Sequence, residues 1–290
     1  MLKQSKAREL ENNPIVVNVG TEEAPEDYML KPRKISDGPT NTDLSKLIRL
    51  LKTDDDWHNL ISFFTGLHSS KRTISAANLE IIMRKSGELG MESYCLFAAT
   101  QSQQTGVFLR NPDVAWSLLF ALRQKAEKAG FKGPDAHLAL QQVEVVARLL
   151  NSPEHTNEYA KRDPKRQPNV IGILLELKAT HALDAFNGRD EDKGVWSYAD
   201  KLVRTWPLEE VGVSPLWTKA NWRLRKYVPM WNGINMALQV EGIKSAPAFR
   251  EALEKCRDEL AETIDGNMEV VGKYRDQVTK TVAWTKTLYK

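Results

Sequence analysis

From Thr42 onward, apolar residues recur at spacings of three and four and rarely alternate. That period lines one stripe of a helix and does not fit the two faces of a strand, so it restricts the chain to helices packed on helices. "TDLSKLIRLLKT" puts Leu44, Leu47, Ile48 and Leu51 on one face. "DDDWHNLISFFTG" opens on aspartates and closes on Gly66, the polarity expected of a helix start and stop. "NPDVAWSLLFALRQKAEKAG" starts with Asn111 as N-cap and Pro112 at the first helical position, and stops at Gly130. Pro134 and Asp135 repeat those starting roles at once. Roughly a dozen such segments follow one another through short Gly- or Pro-marked turns. Numerous helices of similar length pack as antiparallel pairs, and stacked pairs make a solenoid. The expected class is all-α, an α-solenoid-like array of antiparallel helix pairs with an extended N-terminal arm.

Residues 1–40 differ from the rest. They carry four of the 13 prolines and little periodicity. "IVVNV" has strand character but no evident strand-like run beside it to pair with. This segment reads as an arm that is either disordered or laid along a partner, with "PIVVNV" and "YMLKP" favouring the second. "NSPEHTNEYAKRDPKRQPN" is polar and holds three prolines, so it marks a boundary or a long loop. The expected organisation is an arm at 1–40, helical repeats at 41–151, a loop or linker at 152–169, and a C-terminal helical region with a basic face at 170–290.

Lys plus Arg is 41 and Asp plus Glu is 38, a formal charge of +3 in 290 residues. Any basic footprint must be local. The two cysteines, Cys95 and Cys256, sit in apolar helical patterns and form no C-x-x-C pair, which suits a reducing compartment. Apolar runs are far short of the roughly 20 residues that span a bilayer. The N-terminus has no secretory h-region, and it is short and poor as a transit peptide.

No phosphate-cradling G-x-x-x-x-G-K-[ST], no G-x-S-x-G and no G-x-G-x-x-G occurs. The five histidines lack ligand spacing, so neither a metal nor a cofactor is expected. "TDDDW" reads as helix-start acids rather than an ion site. "HALD" places His181 and Asp184 on one helical face, but nothing near them in sequence supplies a nucleophile. The expectation is that the chain is not an enzyme.

Two stretches carry a local basic excess. The first is "YAKRDPKRQP", with Lys161, Arg162, Lys165 and Arg166 against one acid, Asp163. It is either a solvated loop or a contact for phosphates, whose neutralisation needs no fixed fold. The second is "SPLWTKANWRLRKYVPMWNG", with Lys219, Arg223, Arg225 and Lys226 and no acid. Ser214 and Pro215 read as N-cap and first helical residue. Trp217, Ala220, Leu224, Tyr227 and Val228 fall near one face and read as core. Lys219, Arg223 and Lys226 fall on another, with Trp222 close to them and Arg225 behind it. Pro229 is expected to end or kink the helix, and Trp231 to begin the next. The basic side is a solvated edge, a phosphate- or RNA-contacting one, or a contact for an acidic protein partner, with Trp222 placed to stack on a base or under an arginine. The last segment, "GKYRDQVTKTVAWTKTLYK", is also basic, through Lys273, Arg275, Lys280, Lys286 and Lys290.

"LLFALRQKAEKAGFKGPD", Leu118–Asp135, resembles the end of a pentatricopeptide repeat: an L-F pair, a glycine turn, then Pro-Asp. The chain is similar to the degenerate tetratricopeptide- and pentatricopeptide-like proteins of mitochondrial gene expression, including fungal mitoribosomal proteins. The resemblance covers one short stretch, and the family's base-reading positions do not carry over. It implies a scaffold associated with ribosomal or other RNA, located in the mitochondrion, with neighbouring proteins of a large assembly as further partners. A protein-only scaffold or assembly factor of the same architecture is the alternative.

Overall fold

The structure, a computed structural model, describes residues 4–18, 27–30, 41–206, 211–273 and 279–289. They form fourteen α-helices and one two-stranded ribbon, an all-α body. The first forty residues are not simply extended. Gln4–Asn12 forms α1, from a run of helix-forming residues, "QSKARELEN". Ile15–Asn18 (β1) pairs antiparallel with Asp27–Leu30 (β2), Ile15 opposite Leu30. The partner strand is "DYML", too short to stand out by alternation. Much of the remaining arm lies outside the described residues.

The body begins with α2 (Asn41–Leu50) and α3 (Asp54–Ser69). Thr53 caps α3 in a reciprocal capping box, accepting from the Asp56 N–H while the Asp56 carboxylate accepts from the Thr53 N–H. That backbone N–H and the Lys52 N–H hold the Asp56 carboxyl below its ordinary range. The helix runs through Gly66 instead of stopping there. Next come α4 (Ala76–Leu89), α5 (Glu92–Thr100), the single turn α6 (Ser102–Thr105), α7 (Pro112–Lys128) and α8 (Gly133–Leu149). Asn111 caps α7 as its sequence predicts, accepting from Asp113 N–H at 2.8 Å.

Then α9 (Pro168–Ala185), α10 (Gly194–Thr205), α11 (Trp217–Ala237), the short α12 (Glu241–Lys244), α13 (Pro247–Gly272) and α14 (Thr279–Leu288) complete the chain. Within α13, Asn267 donates to the carbonyl oxygens of Thr263 (2.7 Å) and Gly212 (3.1 Å), tying the helix to the loop before α11.

Helices two or three places apart in the chain run in the same direction. Ser45 meets Asn78 and Lys85 reaches the Ile48 carbonyl, so α2 and α4 are parallel. Gly172 packs on Met230 and Glu176 on Gly233, so α9 and α11 are parallel. Trp196 stacks near Phe249 and Trp206 donates to Glu259, so α10 and α13 are parallel.

Two apolar clusters make the core, one from Leu44 to Leu177 and one from Ile171 to Val271. The helix α9 belongs to both: Val170, Ile173, Leu174 and Leu177 face the first, Ile171, Leu175, Ala179 and Ala182 the second. A helix that is apolar on every side is what such a position requires. The seam with α11 depends on two glycines. A Cβ on Gly172 would lie 2.7 Å from Met230 Cβ, and one on Gly233 would lie 2.7 Å from the Gly172 carbonyl oxygen.

Candidate nucleic-acid interface

One buried polar cluster fixes the height of the helices against each other. Arg123 of α7 is fully buried and binds Glu176 of α9 with two nitrogens, Nη2 to Oε1 being 2.7 Å. Glu176 also accepts from Asn232 of α11 at 2.6 Å, and Arg123 bonds Glu127 one turn along its own helix. Burial opposes the Arg123 charge, but Glu176 and Glu127 outweigh it and move its pKa above the ordinary value. The geometry is the bidentate one of a guanidinium matched to a carboxylate, while burial pushes the Glu176 carboxyl above its ordinary range.

This register decides where the basic stretches go. Met230 lies level with Gly172, so Lys226, four residues earlier, lies level with Pro168 at the start of α9. Lys226 Nζ is 2.6 Å from Asp113 Oδ1, so the start of α7 is at the same level. The three helices α7, α9 and α11 thus begin their packed lengths at one end of the body. Arg110, Lys165 and Arg166 lie immediately before α7 and α9 at that end. At 1.5 Å per residue, Trp222 and Lys219 extend roughly 6 and 10 Å beyond Lys226. Two stretches some fifty residues apart in sequence are brought to one edge.

The loop at that edge is two successive 3-10 turns, Ala160–Arg162 and Pro164–Arg166. Asp163 between them is buried and caps the second, accepting from Lys165 N–H at 3.3 Å. Gln167 donates to the Lys161 carbonyl at 2.8 Å. The loop is therefore built, with Lys161, Arg162 and Arg166 exposed and Lys165 half-buried, its Nζ 3.6 Å from Asp163. Arg110 adds a cation that the sequence reading passed over. It donates to the Glu154 carbonyl at 2.6 Å and lies over the Phe108 ring. As a lone basic residue before an N-cap, it gave no pattern to find.

The helical stretch departs from expectation in four ways. The first helical residue is Trp217, and Ser214 is buried before it, its N–H donating to Asn267 Oδ1. Pro229 does not end the helix. It sits inside a 21-residue α11, where its missing N–H costs one bond to the Arg225 carbonyl and packing on every side holds the helix together. Trp231 therefore continues α11 as a buried anchor. Lys226, rather than Arg225, stands against Trp222, with Nζ 3.4 Å from the ring centroid.

The cations of α11 divide accordingly. Lys226 is buried on Asp113 and between Trp222 and Trp116. Arg225 lies over Phe120, and burial, then the nearby Arg84 charge, lowers its pKa. Arg223 is half-buried, with Nη1 donating to the Gly212 carbonyl at 2.8 Å. Lys219 is exposed, and Trp222 is 39% exposed. From the basic last segment, Arg275 and Lys290 lie outside the described residues.

His181 and Asp184 are occupied by packing. Asp184 accepts from the Gly133 N–H, and the His181 ring lies against His137 and Phe186. Among the described residues no three His, Cys, Asp or Glu side chains are grouped to hold a metal ion, and no helix is long and apolar enough to cross a membrane.

Residues 1–290 match the sequence profile of a family described as mitochondrial ribosomal protein mS27. A curated relative, small ribosomal subunit protein mS27 of Neurospora crassa, is 23% identical over 221 residues. The aligned part covers 70% of this chain and 55% of the relative, so the chain spans about half the length of the relative it matches.

Proposed function

The chain belongs to the mitochondrial ribosomal protein mS27 family, and from that premise we propose that it is a non-catalytic helical scaffold of the mitochondrial small ribosomal subunit, in the matrix. In this reading it grips RNA phosphates along the edge where α7, α9 and α11 begin. Lys161, Arg162, Lys165 and Arg166 of the loop act together with Lys219 and Arg223 of α11 and with Arg110, which lies just before α7. The observation that carries the reading is the closed register of Arg123–Glu176, Gly172–Met230 and Lys226–Asp113, which brings the two basic stretches to one edge. Clustered cations release condensed counterions when they meet a phosphate backbone, and this supplies affinity without base recognition.

The alternating helix directions support a finer proposal, a degenerate tetratricopeptide-like solenoid. The ribbon of β1 and β2 holds six exposed apolar side chains, Ile15, Val16, Val17, Tyr28, Met29 and Leu30, and is the proposed contact with a neighbouring protein.

The test is sedimentation of tagged full-length chain from mitochondrial lysate. The wild type is expected to travel with small-subunit RNA. A variant with Lys161, Arg162, Lys165, Arg166, Lys219 and Arg223 all changed to Ala is expected to fall off as salt is raised. A variant that stays bound at every salt concentration where wild type does would leave a protein-only scaffold. A wild type that travels free of the subunit would refute the whole reading.

A further inference from the structure

We infer that Trp222 is a one-faced stacking platform for an unpaired RNA base. This rests on the phosphate-binding reading of the edge and adds what lies between the phosphates. The Lys226 ammonium caps one face of the indole at 3.4 Å from its centroid. That ammonium is fixed in place: it is buried, ion-paired to Asp113 at 2.6 Å and within 5.6 Å of the Trp116 ring centre. Trp222 nevertheless keeps 39% of its surface in solvent.

The indole is held in orientation before any ligand arrives, so little side-chain freedom remains to be lost on binding. Its position is one helical turn beyond Lys226, at the same edge as the basic loop. Lys219 is three residues before it and Arg223 is next to it. Arg223 keeps one donor on the Gly212 carbonyl and has others to offer an anion. Lys219 and Arg223 are an i,i+4 pair on one side of Trp222, so a nucleotide fits with its base on the ring and its phosphates along that side. Every base has a π-face, so the platform is tolerant of sequence. Paired bases bury their faces in their own stack, so the ligand is single-stranded.

Fluorescence anisotropy with the full chain separates stacking from phosphate binding. Three labelled probes of equal length are used: a mixed-sequence single-stranded RNA, its duplex, and an abasic ribose-phosphate strand. Wild type is expected to bind the single strand about tenfold tighter than the abasic strand. Trp222→Ala should lower single-strand affinity to the abasic level and leave abasic affinity unchanged, while Trp222→Phe keeps most of the difference. If the alanine variant fails to fold by circular dichroism, Trp222→Leu, which keeps bulk without a π-face, is expected to show the same loss. A wild type that binds single-stranded and abasic probes equally overturns the platform and leaves the phosphate reading standing. So does a Trp222→Ala variant with an unchanged ratio. Failure to bind any of the three probes overturns both.

Discussion

The two ends of α11 both carry tryptophan, but one is basic and partly open and the other is uncharged and enclosed. From Tyr227 to Ala237 the helix is walled in: Pro229, Met230, Trp231 and Ile234 are buried, Gly233 touches the backbone of α9, and Asn232 donates to Glu176. From Trp217 to Lys226 it runs past the start of α9 to the edge, and only part of its surface is covered. Lys226 stands at the division. Its charge, counted in sequence with those of Lys219 and Arg223, is consumed by Asp113 and two indoles. A basic residue on an amphipathic helix therefore belongs to the fold or to the surface according to its level along the axis, as well as its face.

The largest effect should come from the buried end. Glu176→Ala leaves the Arg123 guanidinium without its bidentate partner and is expected to cost about 3–5 kcal/mol, read from the denaturant midpoint. Gly233→Ala pushes a methyl to 2.7 Å from the Gly172 carbonyl, so the helices must separate. We expect a loss of about 1–3 kcal/mol, which Gly172→Ala should reproduce and which should show in thermal unfolding. Lys226→Ala should cost about 1 kcal/mol, because Asp113 is partly exposed and regains water. A larger effect on RNA binding than on stability would move Lys226 to the surface group.

A smaller loss should follow acidification. The Leu109 N–H donates to His155 Nδ1 at 2.9 Å, which requires that nitrogen unprotonated. Burial lowers the His155 pKa below the ordinary value. The unfolded chain then takes up a proton first, so stability is full above about pH 6.5 and declines below it. His155→Gln should flatten that part of the profile in a pH series of unfolding curves. The smallest effect on stability is expected at the exposed end, where Lys219→Ala with Arg223→Ala should change unfolding by about 0.5 kcal/mol or less while weakening RNA binding.

Much of the fold was legible because its period was. The apolar face of α2, the aspartate start of α3, the Asn111 start of α7, and Trp217, Leu224 and Tyr227 on the core side of α11 all followed from spacing and capping chemistry. The interruptions were less legible. Gly66 and Pro229 read as stops, yet tertiary packing carries α3 and α11 through both, because a local penalty of about 1–3 kcal/mol is smaller than the burial of a whole helix face. The β2 strand is four residues and had no periodic signal. The edge itself could not be read in sequence, since it depends on how α7, α9 and α11 align. That alignment is set by Arg123 and Glu176, which look like ordinary surface charges in the sequence.

The central claim is that the loop and the exposed end of α11 form one phosphate-binding edge. It is tested most directly by the salt dependence of RNA binding, measured for wild type, for the Lys161/Arg162/Lys165/Arg166→Ala variant, for the Lys219/Arg223→Ala variant and for their combination. Each lost phosphate contact on a single strand should lower the slope of log affinity against log salt by about 0.7. Both variants are predicted to lower the slope on the same RNA, and the combination to lower it further. Slopes equal to wild type in either variant, with the protein folded, would contradict a single edge.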